Sequence, residues 1–348
     1  MPTYHPPRQP DYQQFLRVLE RRQRPTHLPF YEHIASPSFI SQSTGKPFGF
    51  PGQKPQDYWA TYVEFWVNLG FDVIPMEILL NCPLHATDAA AHSHGSEDRS
   101  VIHSLAEFEK YPWPDVSAPI DFAPFEIVAA LLPAGVKIVG GVCMGPYEWV
   151  SNMLGTEGLC FALADEPELV EAMFAKIGAL IVAADRQLAS MDALCALRQG
   201  DDLGFKTATF LSPADLRRLV FPIYKQMVET AHRQGKKFIL HSCGNLAEVY
   251  EDLIGGVGID AKHSFEDTIL PVDEFKAQYG SRVTPLGGID VDMVCRAPED
   301  KLRRYVRQKI ERCFADGFYA LGTGNSLTDY MPVARYRIVL EEGMRASN

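Results

Sequence analysis

The chain has 348 residues, 46% hydrophobic and 22% charged, proportions that build a substantial core and give no sign of disorder. A net charge of −11 argues against a phosphate-binding surface, so nucleic acid is not an expected partner. No run of 18 apolar residues occurs, and Met1-Pro2-Thr3-Tyr4-His5-Pro6-Pro7 lacks an apolar leader core, so the expectation is a cytoplasmic protein without membrane contact.

In chain order, the basic cluster Arg21-Arg22-Gln23-Arg24 is expected to end an amphipathic helix or to hold a carboxylate, making residues 1–24 a helical extension. Beyond it, short apolar strands alternate with longer amphipathic helices. Eight strands are predicted: His27–Tyr31, Phe71–Glu77, Val136–Val142, Ala193–Gln199, Lys237–His241, Gly258–Lys262, Val283–Gly288 and Phe318–Gly322. Asn81–Val101, with His85, His92 and His94, reads as a loop inserted after the second strand, and Tyr111-Pro112-Trp113-Pro114-Asp115 as extended chain.

Three helices have clear starts. Pro213–His232 opens with Ser212 as N-cap and Pro213 at the first helical position. Glu166–Met191 follows an acidic run suited to a helix amino terminus, and Ala297–Ala315 begins Ala-Pro-Glu-Asp. Eight β/α units without a dividing linker predict one α/β domain over residues 1–348, a (β/α)₈ TIM barrel; a doubly wound open sheet is the alternative. The seven cysteines are scattered and odd in number, which speaks against a disulfide framework. Cys82, Cys160, Cys195 and Cys313 read as small buried apolar residues.

Barrel enzymes build their sites on the loops at the carboxyl ends of the strands. Those positions hold Glu32, His33, Glu77, Cys143, Met144, Glu148, Asp201, Asp202, His241, Cys243, His263, Asp290, Asp292, Thr323 and Asn325. The sharpest signal is His241-Ser242-Cys243-Gly244-Asn245, where strand alternation projects imidazole and thiol to one side. That pair suits zinc, which usually takes three or four protein ligands; His263, ending the next strand, is the expected third. Two buried residues satisfied locally are the competing reading. Asp201, Asp202 and Glu148 are the expected acid/base groups, with an apolar neighbourhood raising the Glu148 carboxyl. Glu77, Asp290 and Asn325 are expected to bind a small-molecule substrate.

Tyr111-Pro112-Trp113-Pro114-Asp115, Gly200-Asp201-Asp202-Leu203-Gly204, the His241–Asn245 segment and Gly287-Gly288-Ile289-Asp290 stand in the order found in the uroporphyrinogen decarboxylase superfamily, which the chain resembles from about Arg24 onward. The resemblance implies a (β/α)₈ barrel and one of two chemistries. True decarboxylases use no metal and clamp substrate carboxylates with an arginine-rich segment; the matching stretch here, Arg24 to Glu32, has lost those arginines. The superfamily's zinc methyltransferases use a His-x-Cys pair like His241 and Cys243 to move a methyl group between a corrinoid carried by a partner protein and a thiol. They commonly add a cysteine in the last-strand turn, where Thr323 stands; distantly similar cobalamin-independent methionine synthases place a ligand where His263 stands. The resemblance therefore implies a zinc-dependent methyltransferase. A metal-free decarboxylase and a non-catalytic corrinoid- or tetrapyrrole-binding protein are the alternatives, and a homodimer is compatible with the sequence.

Overall fold

The computed structural model describes residues 4–84 and 100–346. The histidines of the inserted loop (His85, His92 and His94) lie outside the described residues. Six strands, Val73–Ile78, Lys137–Val142, Leu194–Gly200, Lys237–His241, Ala261–His263 and Thr284–Pro285, form one parallel sheet in chain order. These are strands two to seven of the predicted eight.

The first and eighth segments complete the circuit as isolated parallel bridges. Leu286 pairs with Ala320, Ile289 with Thr323, Phe30 with Leu321 and Ala35 with Leu327. Proline explains part of this thinness, since Pro29 and Pro285 offer no N–H to a ladder. The seam between the first segment and strand two is drawn together by side chains. Buried Asp72 receives Arg8 Nη2 at 3.0 Å and lies 2.9 Å from His27 Nε2, while Arg8 donates to the carbonyls of Leu28 and Gly70. The architecture is a (β/α)₈ barrel.

The barrel interior has two levels. Towards the amino ends, Tyr31, Val73, Val139, Ala196, Ile239, Ala261, Leu286 and Ala320 form an apolar cluster. Its floor is the helix Tyr12–Glu20, which Asp11 caps by accepting the N–H of Gln13, and which inserts Phe15, Val18 and Leu19. Phe15 stacks on Tyr31 with ring centroids 5.8 Å apart. The basic cluster does end this helix: Arg21 is its left-handed C-cap, and Arg24 donates to the carbonyl of Ala315. A second, larger apolar cluster packs the helices against the outside of the sheet.

The predicted boundaries shift in instructive ways. The sixth strand starts at Ala261, because the chain ahead of it is a π-helical turn ending at left-handed Gly258. His263 is therefore a strand residue. Ser212 accepts the N–H of Asp215 as predicted, but the helix behind it contains a π segment, Leu216–Val220, before continuing as Phe221–Arg233. The long helix runs Pro167–Ala189 and the later one Glu299–Cys313. Cys82, Cys195 and Cys313 are buried as expected, whereas Cys160 is exposed on the helix Thr156–Asp165 and is not a core residue. Among the described residues, no helix is long and apolar enough to cross a membrane.

Candidate metal centre and active site

Two residues beyond the apolar level, the same strands turn polar. His33, Arg198, His241 and His263 are all buried there, with Glu77 at the rim. Arg198 Nη2 lies 2.8 Å from Glu77, and Nη1 bonds both the carbonyl and Nδ1 of His33. Arg198 was not anticipated from the sequence, although an arginine inside the apolar run Leu194–Gly200 is the signal that could have found it. Glu77, expected to bind substrate, is thus engaged by Arg198, with His33 Nε2 at 3.7 Å.

The His241 ring is held on three sides. His33 stacks on it with centroids 3.7 Å apart and planes within 14°. Its Nδ1 lies 2.7 Å from His263 Nδ1, and its Nε2 faces Cys243 Sγ and Asp202 Oδ1, each at 3.6 Å. Cys243 in turn receives an N–H of Asn325 at 3.3 Å and lies 3.5 Å from Ser264 Oγ, while its own N–H donates to Asp202 at 2.9 Å. The tight turn behind Cys243 depends on Gly244, whose φ is +85° and whose absent Cβ would sit 2.1 Å from the backbone of Gly204.

The three predicted acids converge, with different partners. Asp201 is buried and accepts the N–H groups of Tyr147 and Glu148 and the hydroxyl of Tyr224. It thereby caps the helix Pro146–Leu154 from another strand. Burial raises its carboxyl to about 7 against the pull of the Tyr224 bond. Glu148 is raised to about 9, by burial first and then by Asp201 and Asp202, so it carries a proton at neutral pH. Asp202 is the acid that faces His241 and Cys243. Asp290, expected at the substrate, instead caps the helix Val291–Arg296 by accepting the N–H of Met293. Asn325 reaches the site, at the Cys243 sulfur.

Burial also governs the nitrogen and sulfur groups. It drives His241 and His33 well below their ordinary range and His263 to about 3, so all three rings are neutral. It pushes the Cys243 thiol up to about 12, with Asp202 adding to the effect. Lys262, also not anticipated, is buried behind the site, brought down to about 8 by burial, and donates to the carbonyls of Ser242 and Ser264. Phe205 and Phe210 are exposed and pack on each other, and Phe210 stacks on Tyr147 at 5.6 Å.

Among the described residues, two sets of three bring potential ligand atoms within 4.8 Å of one another: Asp202, His241 and Cys243, and His33, His241 and His263. In the second set both nitrogens of His263 already have partners, since Nε2 lies 3.0 Å from the carbonyl of Thr323. In the first set an imidazole lone pair, a thiol and a carboxylate converge, a donor set that fits zinc. A protein field that disfavours the Cys243 thiolate is what a cation at this point would reverse.

A parallel α/β barrel thus gathers an imidazole, a thiol and a carboxylate at the carboxyl ends of its strands, the end on which barrel enzymes build their sites. The chain belongs to the uroporphyrinogen decarboxylase (URO-D) family, whose model matches residues 60–343. Among solved structures, it is similar to a methyltransferase from Methanosarcina mazei, at 15% identity with a TM-score of 0.69, over 95% of this chain and 97% of the other. A putative vitamin-B12-independent methionine synthase from Listeria monocytogenes matches at 12% identity and a TM-score of 0.40, over 91% of this chain and 95% of the other. At 15% identity the Methanosarcina likeness speaks for the fold alone. No curated protein matches by sequence.

Proposed function

We propose that the protein is a zinc-dependent methyltransferase, with His241 Nε2, Cys243 Sγ and Asp202 as its protein ligands. The observation that carries this reading is the convergence of those three atoms within 4.8 Å. The methyltransferase likeness agrees with it at the level of fold. The third ligand expected from the sequence, His263, is replaced in the proposal by Asp202, because His263 has no free ring nitrogen.

Zinc bound there would make an acceptor thiol a thiolate at neutral pH, the chemistry a sulfur nucleophile requires. The chain's own residues prepare the site for that. Asn325 donates to Cys243 Sγ and Asp202 accepts the Cys243 N–H, so the sulfur and the carboxylate are mutually fixed. Protonated Glu148, beside Asp201 and Asp202, can donate a hydrogen bond or a proton to a bound substrate. Asp201 holds the helix that presents Glu148. Phe205 and Phe210 offer apolar contact at the entrance. The methyl donor is proposed to be a corrinoid on a partner protein, docking on the mouth of the barrel.

The test is elemental analysis of freshly purified protein beside His241→Ala, Cys243→Ala, Asp202→Ala and His263→Phe. About one zinc per chain is expected in the wild type, with loss in the first three variants. No zinc after supplementation would sink the proposal. Carbon dioxide release from uroporphyrinogen by zinc-free protein would establish the decarboxylase alternative in its place.

A further inference from the structure

Thr323 stands in the last-strand turn with its side chain turned away from the site. Its hydroxyl and its N–H donate to the two oxygens of Glu32, at 2.6 and 2.7 Å, and Tyr336 adds a hydroxyl to the same carboxylate at 3.0 Å. What the turn offers the site is its backbone carbonyl, 3.0 Å from His263 Nε2. Glu32, Thr323, His263 and His241 are all buried, so water does not compete for these bonds. The space for the carbonyl exists because position 287 is glycine. A Cβ there would sit 2.2 Å from the Thr323 oxygen and 2.7 Å from His263 Nε2.

A carbonyl accepts and never donates, so the bond to Thr323 requires the proton on His263 Nε2. In a neutral ring this leaves His263 Nδ1 as an acceptor. The 2.7 Å contact between the two Nδ1 atoms then requires a proton on His241 Nδ1. His241 Nε2 is left as the bare lone pair, aimed at Cys243 and Asp202. We propose that Glu32, the Thr323 carbonyl and His263 are positioning residues that fix the His241 tautomer, so that a last-strand turn lacking a ligand still serves the metal site. The chain would work as outer partners of metal-binding histidines do, by orienting the ring and settling which nitrogen is free. The proposal rests on the metal reading only for its purpose; the tautomer order itself belongs to the metal-free protein.

Nitrogen-15 NMR of the ten histidines in zinc-free protein, assigned with single His variants, tests it directly. Expected are a protonated Nδ1 and bare Nε2 on His241, and the reverse on His263. The opposite arrangement on His241, or a doubly protonated His263, overturns the proposal without any variant having to fold. In His263→Phe, which fills the ring's volume, His241 should show both tautomers, and zinc affinity should fall by about 10–100-fold. Glu32→Gln, which keeps the volume and part of the bonding, should shift both readings in the same direction by less. An unchanged His241 tautomer in His263→Phe overturns the relay even if zinc binds. A wild type with the expected tautomers and no zinc affinity leaves the relay standing and fails the metal reading alone.

Discussion

Along four segments of the barrel wall an inward apolar residue is followed two positions later by an inward polar one: Tyr31 and His33, Ala196 and Arg198, Ile239 and His241, Ala261 and His263. The pleat puts both members of each pair on one face, so a single geometry supplies both levels. The apolar level fills space against the helix Tyr12–Glu20 and stabilises by excluding water. The polar level is equally buried but held by a network in which each ring nitrogen of His241 and His263 has a stated partner. The difference teaches that stability and chemistry are divided by height in this barrel. Substitutions at the two levels should therefore dissociate.

The largest effect belongs to the polar level. Cys243→Ala and His241→Ala should lower zinc affinity by more than the roughly 100-fold reached by outer partners, measured by competition with a chromophoric chelator. The metal-free variants should keep the wild-type fold by circular dichroism. Next comes the apolar level, where Ile239→Ala removes a fully buried side chain. It should cost about 2–5 kcal/mol in urea unfolding while zinc affinity in the folded protein stays at the wild-type value. Loss of zinc in folded Ile239→Ala would break the division between levels.

A smaller effect comes from pH. The Glu148 carboxyl, raised from 4.5 to about 9, keeps its proton in the folded protein where the unfolded chain has lost it. The folded state binds more protons across that window, so stability declines as pH rises through it. Glu148→Gln should remove most of that decline. The variant's urea midpoint should match the wild type's at the acidic end of the window and exceed it at the alkaline end. The same slope in both proteins would show that the carboxyl is ionised at neutral pH. Two changes should give no gain in zinc affinity and little loss of stability, respectively. Thr323→Cys should add no zinc ligand, because that side chain points at Glu32; a gain in affinity would contradict this orientation. Cys160→Ser, on an exposed residue, should stay within about 0.5 kcal/mol of wild type.

Much of this was legible in the residues. Strand periodicity located six strands to within a few positions, and the His241-Ser242-Cys243 spacing placed two site residues side by side. Strand ends also flagged Asp202 and Asn325, which both contact Cys243, and Glu148, which lies beside Asp202. Less legible were groups whose partners come from distant strands. Asp201 and Asp202 are adjacent, yet one caps a helix reached across 53 residues and the other faces His241 and Cys243. Arg198 lies inside an apolar run and Lys262 between Ala261 and His263, and neither carries a motif. Cys160 looked like a core residue because its neighbours are apolar, but its helix turns it outward.

The sequence by itself determined the alternation of strand and helix, the parallel sheet and the imidazole–thiol pair, because these follow from local period and from spacing within one strand. Closure of that sheet into a barrel came from the tertiary structure. Only the tertiary structure decided that both ring nitrogens of His263 are engaged and that Asp202 faces His241. It also decided that the Thr323 carbonyl meets His263 and that Asp290 caps a helix. Those assignments depend on which hydrogen-bonding group is already satisfied. A buried polar atom finds its partner across the barrel, at a sequence distance that no local pattern records.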